Sequence, residues 1–80
     1  MSRLELEGAR QRLKTQKMEL AVQIGAKIKA IKNLLSTAAI DPIEKTDLDS
    51  VASLADEAAN ERQAYLDINT KIRAIDEELG

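Results

Sequence analysis

The sequence contains no cysteine, histidine, tryptophan or phenylalanine, and its one aromatic side chain is Tyr65. Without cysteine the chain can form neither a disulfide nor a thiolate zinc site. Without histidine it has no imidazole to bind a metal or to titrate near neutral pH. Carboxylates, lysines, arginines and hydroxyls are left to do chemistry. We therefore expect a protein that is not an enzyme and that holds no cofactor.

Long uncharged runs are also missing. Charged residues make up 32% of the chain, and no stretch approaches the roughly 18 apolar residues that a membrane span requires. Residues 1–5 alternate between charged and apolar side chains, which is unlike the hydrophobic segment of a signal peptide. These features predict a cytoplasmic protein with no membrane partner.

The apolar residues that are present follow helical spacing. A Ser-x-x-Glu capping box at Ser2 and Glu5 predicts the start of a helix. From there no proline interrupts the chain before Pro42, and the sequence predicts a first helix over about residues 3–37. Its apolar row repeats at steps of three, four or seven residues: Leu6, Ala9, Leu13, Leu20, Ile24, Ile28, Ile31 and Leu35.

Pro42 predicts a break, because proline has no amide hydrogen to donate and disfavours helical angles at Asp41. The same residues can start a second helix, which begins at Pro42 or, after a turn over about 38–46, at Asp47. We expect this helix to cover about residues 47–79. Its apolar row alternates steps of three and four and contains one acidic residue, Glu61: Val51, Leu54, Ala58, Glu61, Tyr65, Ile68, Ile72, Ile75 and Leu79.

Folding the chain at Pro42 brings the two apolar rows together in one register. The numbers of facing residues then add up to 85 or 86, as in Leu6 with Leu79 and Leu20 with Tyr65. Residues 1–37 hold eight basic and three acidic side chains, and residues 38–80 hold four basic and eleven acidic ones. Pairing the helices therefore also pairs opposite charges. The pairs expected from this register include Lys17 with Asp67, Lys27 with Glu61, and Arg10 with Asp76 or Glu77. The sequence predicts a single all-α domain over residues 1–80, an antiparallel two-helix hairpin resembling a coiled coil.

A hairpin of this size leaves apolar side chains uncovered, and oligomerisation is the usual remedy for so small a core. A second apolar row lies beside the first, and we expect it to bury against another hairpin, forming a homodimeric four-helix bundle. The predicted dimer interface comprises Met18, Val22, Leu34, Leu48, Ala52, Ala55, Ala59 and Leu66. The sequence is compatible with a parallel and with an antiparallel arrangement of the two hairpins.

Two acidic features are candidates for chemistry. Glu61 is the one carboxylate within an apolar row, where burial could raise its pKa, but pairing with Lys27 or Arg62 is the simpler interpretation. Four acids near the turn lack the spacing of a calcium loop, so capping explains them better than metal binding. They are Asp41, Glu44, Asp47 and Asp49. We expect no metal site.

The function predicted from these features is that of a non-enzymatic interaction or structural protein that acts as a homo-oligomer and possesses no recognisable catalytic site. The alternative is a small nucleic-acid-binding bundle whose first helix contacts phosphates. Its candidate residues are Arg3, Arg10, Lys14 and Lys17. The net charge of −2 and the absence of accompanying aromatic side chains count against this alternative.

Overall fold

The computed structural model describes residues 2–36 and 43–80, which form two long helices and one short helical turn. Helix α1 covers Arg3–Ser36, a 3-10 helix covers Ile43–Lys45, and helix α2 covers Leu48–Leu79. The long helices pack against each other in antiparallel fashion, which confirms the predicted helical hairpin. The predicted roles of Asp41 and Pro42 fall outside the described residues.

Helix α1 begins at the predicted cap. The backbone N–H of Glu5 donates to the Ser2 hydroxyl oxygen at 3.2 Å, and that of Leu6 donates to the Ser2 carbonyl at 3.0 Å. The bond from Leu6 is the first of the helical i to i−4 bonds. The first amides of a helix have no such partner, and the Ser2 hydroxyl supplies one for Glu5. Ser2 therefore fixes where α1 starts.

Helix α2 begins at the second of the two predicted starts, with Asp47 as its N-cap. One carboxylate oxygen of Asp47 accepts from the backbone N–H of Ser50 at 3.0 Å, and the other accepts from the Ser50 hydroxyl at 2.6 Å. Both bonds favour the charged carboxylate, with the hydroxyl contributing most, and they lower the pKa of Asp47 below its ordinary value. At the other end, Gly80 adopts a φ of 82° and its N–H donates to the Asp76 carbonyl.

The row of α1 that faces α2 differs from the predicted row at four positions. Arg10 takes the place of Ala9, Lys27 that of Ile28 and Leu34 that of Leu35, and Lys17 is added. Its half-buried or buried positions repeat every three or four residues and include two lysines: Leu6, Arg10, Leu13, Lys17, Leu20, Ile24, Lys27, Ile31 and Leu34. Ile28 and Leu35, which the sequence analysis placed in this row, are each 44% exposed. A lysine can fill such a position because its methylene stem packs while its ammonium group reaches outward. We call this row, with its α2 counterpart, the seam.

Polar contacts across the seam fix its register. Arg10 Nη1 lies 2.8 Å from Asp76 Oδ1, and Lys27 Nζ lies 2.8 Å from Glu61 Oε1. Both pairs were predicted, and their positions agree with facing residue numbers that add up to about 85. Lys17 was expected to pair with Asp67, but its ammonium group instead lies 5.2 Å from the centre of the Tyr65 ring.

The core that this seam encloses is thin. Among the described residues, Leu6 and Ile68 are the most buried apolar side chains, at 8% and 9% exposure, and no side chain is fully buried. The molecule is a rod of 60 × 14 × 14 Å with an accessible surface of 5988 Å². A compact monomer of 8.8 kDa would expose only about 4,800 Å². The hairpin therefore leaves an unusually large share of its surface uncovered.

Replacing Asp47 with alanine should lower the melting temperature at neutral pH and loosen the first turn of α2. The pKa of Asp47 is lower in the folded state than in the unfolded state. Its charged carboxylate therefore stabilises the fold at any pH above the ordinary pKa of an aspartate. This stabilisation is lost as the pH falls through the lowered pKa. The difference between variant and parent should therefore disappear in acid. Thermal melts followed by circular dichroism between neutral and strongly acidic pH measure it. Asp49→Ala removes the same charge in the same turn without the cap, and should lower the melting temperature less.

Candidate interaction surface

The two sides of the seam differ sharply in polarity. On one side, the residues beside the seam are mostly apolar from residue 18 to residue 35 of α1 and from residue 48 to residue 66 of α2, with Lys32 and Arg62 as charged interruptions. We call this surface the apolar face. It consists of Met18, Ala21, Gly25, Ile28 and Leu35 of α1, and Leu48, Ala52, Ala55, Ala59 and Leu66 of α2. Several of its larger side chains are well exposed, including Met18 at 70% and Leu48 at 54%. Scattered exposed leucines are ordinary, but a continuous apolar face is typical of a binding surface.

A shallow depression of about 340 Å³ joins the two helices in the middle of this face. Its wall is formed on the α1 side by Ala21, Gly25 and Ile28, and on the α2 side by Tyr65 and Leu66. A neighbouring depression brings Met18 together with Ala21 and Tyr65. These shared cavities place the exposed residues of both helices on the same side of the hairpin.

The opposite side of the seam carries no apolar side chain larger than alanine among the described residues. From α1 it presents Ala9, Arg12, Gln16, Glu19, Gln23, Ala26, Ala30 and Asn33, and from α2 it presents Ser50, Ser53, Glu57, Asn60, Ala64, Asp67, Lys71 and Ala74. Such a surface is stable in water without a partner. The hairpin as a whole is therefore amphipathic, with one face suited to solvent and one suited to burial.

The predicted interface residues divide into two groups in the structure. Met18, Leu48, Ala52, Ala55, Ala59 and Leu66 lie on the apolar face. Leu34 is instead half-buried in the seam. Val22 is 73% exposed. It lies two residues from Leu20 and two from Ile24, and two residues correspond to a rotation of about 200° around the helix axis. Val22 therefore lies on the side of α1 that faces away from the seam.

Sequence reasoning missed Ala21, Gly25, Ile28 and Leu35 as members of this face. The predicted α1 row admitted only apolar residues and so passed over Lys17 and Lys27. Skipping Lys27 moved the row by one residue, which drew Ile28 and Leu35 into the seam and pushed Leu34 out of it. The acidic residue at Glu61 was the available signal, because a carboxylate in an apolar row calls for a cation at the facing position.

Gly25 is unusual on this face because nothing in the hairpin explains it. A methyl group added there would meet no atom within 4 Å, whereas a glycine in a helix interior costs about 1 kcal/mol relative to alanine. The space over Gly25 opens into the central depression. Because Gly25 has no side chain, the surface of a partner could approach the backbone of α1 closely at this position.

Most of the basic side chains considered for phosphate binding have partners within the hairpin. Arg3 lies 3.1 Å from Glu7, Arg10 pairs with Asp76, and Lys17 lies over the Tyr65 ring. Lys14 is the one of the four for which residues 2–36 and 43–80 offer neither an ion pair nor a ring contact. The four candidate residues therefore do not form a cluster of uncommitted cations.

Glu61 and Lys27 form an ion pair that is largely shielded from solvent. Their side chains are 17% and 23% exposed, and Lys27 Nζ lies 2.8 Å from Glu61 Oε1. The angles of this contact depart from those of a hydrogen bond, so Oε1 has no hydrogen-bond partner although it touches the ammonium group. The attraction between the two charges, rather than an aligned hydrogen bond, holds the pair together. This geometry supports a structural interpretation of Glu61.

The acidic residues before α2 do not assemble into a metal site within the described part of the chain. Glu44, Asp47 and Asp49 line a polar depression with Thr46, yet no three acidic side chains there are placed to hold an ion.

Neither of the two helices, as far as they are described, has an apolar stretch long enough to cross a membrane.

Comparison of the chain with sequence models of protein families, with curated proteins and with solved structures finds no match. The inference of function therefore rests on the geometry of the hairpin alone.

Replacing Glu61 with alanine should lower the free energy of unfolding by about 1–2 kcal/mol, because the Lys27 ammonium group would stay three-quarters shielded without its partner. Replacing both residues, as Lys27→Met with Glu61→Leu, should restore parental stability or exceed it. Urea unfolding at a fixed protein concentration measures both effects. Arg3→Ala is the control, since its pair with Glu7 is exposed and should contribute less than about 0.5 kcal/mol. A double variant weaker than Glu61→Ala would contradict this account of the pair.

Proposed function

We propose that the protein is a non-enzymatic interaction module that associates with a second copy of itself through the apolar face, forming a four-helix bundle. The observation that supports this most directly is the one-sided distribution of apolar residues around the seam. A hairpin that worked alone would have no use for exposed Met18, Ile28, Leu35 and Leu48 on one face. Covering that face would give each helix a second packing surface, as in a four-helix bundle.

The excess surface of the elongated hairpin is comparable with the area that such an interface buries. The hairpin exposes roughly 1,200 Å² more than a compact monomer of its mass, taking 5988 Å² against about 4,800 Å². A stable protein interface of standard size buries about 800 Å² on each partner. Burying one exposed leucine or isoleucine completely contributes about 1.5–3 kcal/mol. A handful of such side chains would therefore hold a dimer together.

A second copy is the occupant that the face itself favours. Both halves of the face combine large and small residues. The α1 half has Met18, Ile28 and Leu35 beside Ala21 and Gly25, and the α2 half has three alanines between Leu48 and Leu66. A two-fold symmetric interface places the same surface on both partners, so one half can receive the other. Large side chains then meet small ones, which is how packed layers interdigitate.

Replacing Ile28 with glutamate should abolish the dimer at micromolar concentration, since it would bury a charge without a partner at the centre of the apolar face. Sedimentation equilibrium should then give the mass of one chain in place of two. Val22→Glu is the matched control: it adds the same charge to the same helix, on the side away from the seam, and should leave the dimer mass unchanged. Circular dichroism shows whether the Ile28 variant keeps its helices as a monomer.

This pair of variants separates two versions of the interface. If Val22→Glu dissociates the dimer and Ile28→Glu does not, the side of α1 that carries Val22 forms the interface and the apolar face does not. If the parent protein has the mass of one chain at all concentrations, self-association is wrong and the face serves another partner.

Replacing Gly25 with alanine should have opposite effects on the helix and on the dimer. The methyl group has free space within the hairpin, so helix α1 should gain about 1 kcal/mol, while close approach of a second copy should be hindered. Gly8→Ala makes the same change away from the apolar face, where the methyl group would meet Arg12 at an ordinary 3.7 Å. We expect Gly25→Ala to raise the dimer dissociation constant and Gly8→Ala to leave it unchanged in sedimentation experiments. Equal dissociation constants would show that no partner approaches Gly25.

A further inference from the structure

The charged residues in the middle of the hairpin are divided unequally between its two sides. Residues 12–23 of α1 lie level with residues 62–73 of α2, because facing residue numbers add up to about 85. In this stretch the opposite side of the seam carries two basic and two acidic residues: Arg12, Glu19, Asp67 and Lys71. The side of the apolar face carries four basic residues and no acidic one, and we call these four the basic band: Lys14, Lys17, Arg62 and Arg73. A chain with a net charge of −2 thus concentrates positive charge on the side that is suited to burial.

Both helices contribute to the basic band on the same side of the hairpin. Lys14 and Lys17 line one of the two depressions in this side, and Arg62 lines the other. Arg73 follows Leu66 by seven residues, which places it two turns further along α2 on the same side of the helix. The basic band therefore flanks the depressions from α1 and from α2.

The charges of the basic band are not neutralised within the hairpin. Lys14, Arg62 and Arg73 are exposed, and none of them forms an ion pair with residues 2–36 or 43–80. The Lys17 ammonium group lies 5.2 Å from the centre of the Tyr65 ring, a contact that leaves its charge in place. An anionic partner can therefore meet these charges without breaking an existing ion pair.

A second copy of the chain does not supply the missing negative charge. Within the described lengths of α1 and α2, the acidic residues on the side of the apolar face are Glu7 and Asp76. Glu7 lies 3.1 Å from Arg3, and Asp76 lies 2.8 Å from Arg10. The other acids of the two helices lie in the seam, on the opposite side, or on the outer sides away from the seam. The basic band therefore suits a partner of different composition, whatever the orientation of two copies.

The surface between these charges is an apolar groove. The two depressions share Ala21 and Tyr65, so they join into one groove that extends from residue 14 to residue 28 of α1. At 1.5 Å per residue this is about 20 Å, the length of about fourteen residues of helix. A groove between two helices can receive the apolar stripe of a third. Acidic residues on both flanks of that stripe would then lie beside the basic band.

Nucleic acid and lipid fit this groove less well. A phosphate backbone would place charged groups against Met18 and Leu66, which is costly because neither side chain can bind them. Lys17 already covers one face of the Tyr65 ring, on which a base would otherwise stack. A surface that binds membranes has Trp or Phe among its apolar residues, and the chain has neither.

We propose that the groove and the basic band bind an acidic amphipathic helix of another protein. Its apolar stripe lies on Ala21, Tyr65 and Leu66, and its carboxylates lie against the basic band. The four unneutralised cations on one side of an otherwise balanced stretch carry this assignment. It does not rest on self-association, although a second copy would compete with the acidic helix for Met18 and Leu66.

Synthetic peptides test the charge of the partner. The probe is a fluorescent helical peptide of about 18 residues, long enough for the groove, with a stripe of leucine and alanine flanked by glutamates. A second peptide carries lysine in place of every glutamate. In low salt, fluorescence anisotropy should show the acidic peptide binding at least about tenfold more tightly than the lysine peptide, because the basic band attracts one and repels the other. Equal affinities, or no binding of the acidic peptide, would overturn the proposal.

Charge reversal on the two sides of the hairpin tests the location of the site. Lys14→Glu with Arg62→Glu reverses two charges of the basic band, and Arg12→Glu with Lys71→Glu reverses two charges of the opposite side in the same stretch. The two double variants have the same net charge. The first should raise the dissociation constant of the acidic peptide at least about tenfold, and the second less than about twofold. Equal losses would mean that binding follows net charge and not the groove, which contradicts the proposal. Circular dichroism checks that both variants keep their helices.

Vesicles and RNA test the rival partners with the same variants. If the parent protein binds phosphatidylglycerol vesicles or single-stranded RNA but not the acidic peptide, and reversal of Lys14 and Arg62 abolishes that binding, the partner is not an acidic helix. Sedimentation without peptide measures self-association separately. A parent protein that stays a monomer and binds the acidic peptide at the basic band would overturn the proposed dimer and support the present inference.

Discussion

Two helices can bury only the row of side chains along which they touch, and this constraint governs the rest of the structure. An α-helix about 10 Å across presents one narrow strip to a single neighbour. Even the best-buried side chains of this hairpin, Leu6 and Ile68, retain 8% and 9% exposure. Any apolar residue beside the seam must therefore remain in water or find a second neighbour. The apolar face follows from this geometry and not from a particular chemistry.

The hairpin could be predicted from sequence because its strongest signals are local. Ser2 and Asp47 cap their helices through bonds to amides within three residues, and the α2 row is almost free of polar interruptions. The α1 row could not be predicted correctly from apolar spacing, since Lys17 and Lys27 occupy seam positions through contacts with Tyr65 and Glu61. Those contacts join residues more than thirty positions apart. The α1 part of the apolar face was therefore also predicted incorrectly, because its position is defined relative to the seam.

The divided charge of the chain has two consequences in the folded hairpin. Some of it is used across the seam, where Arg10 meets Asp76 and Lys27 meets Glu61. These pairs fix register at small cost in stability, because each side chain keeps some contact with water. The pairing of Arg10 and Lys17 within the fold also weakens the case for phosphate binding by α1.

Burial is distributed unevenly along the rod. Leu6 and Ile68, the best-buried residues, lie in the half away from the turn. The half nearest the turn has Ala58 and the Lys27–Glu61 pair in its seam, together with exposed Ile28, Leu35 and Leu48. A partner covering that half would stabilise the hairpin where its own seam is weakest, so that association and folding reinforce each other.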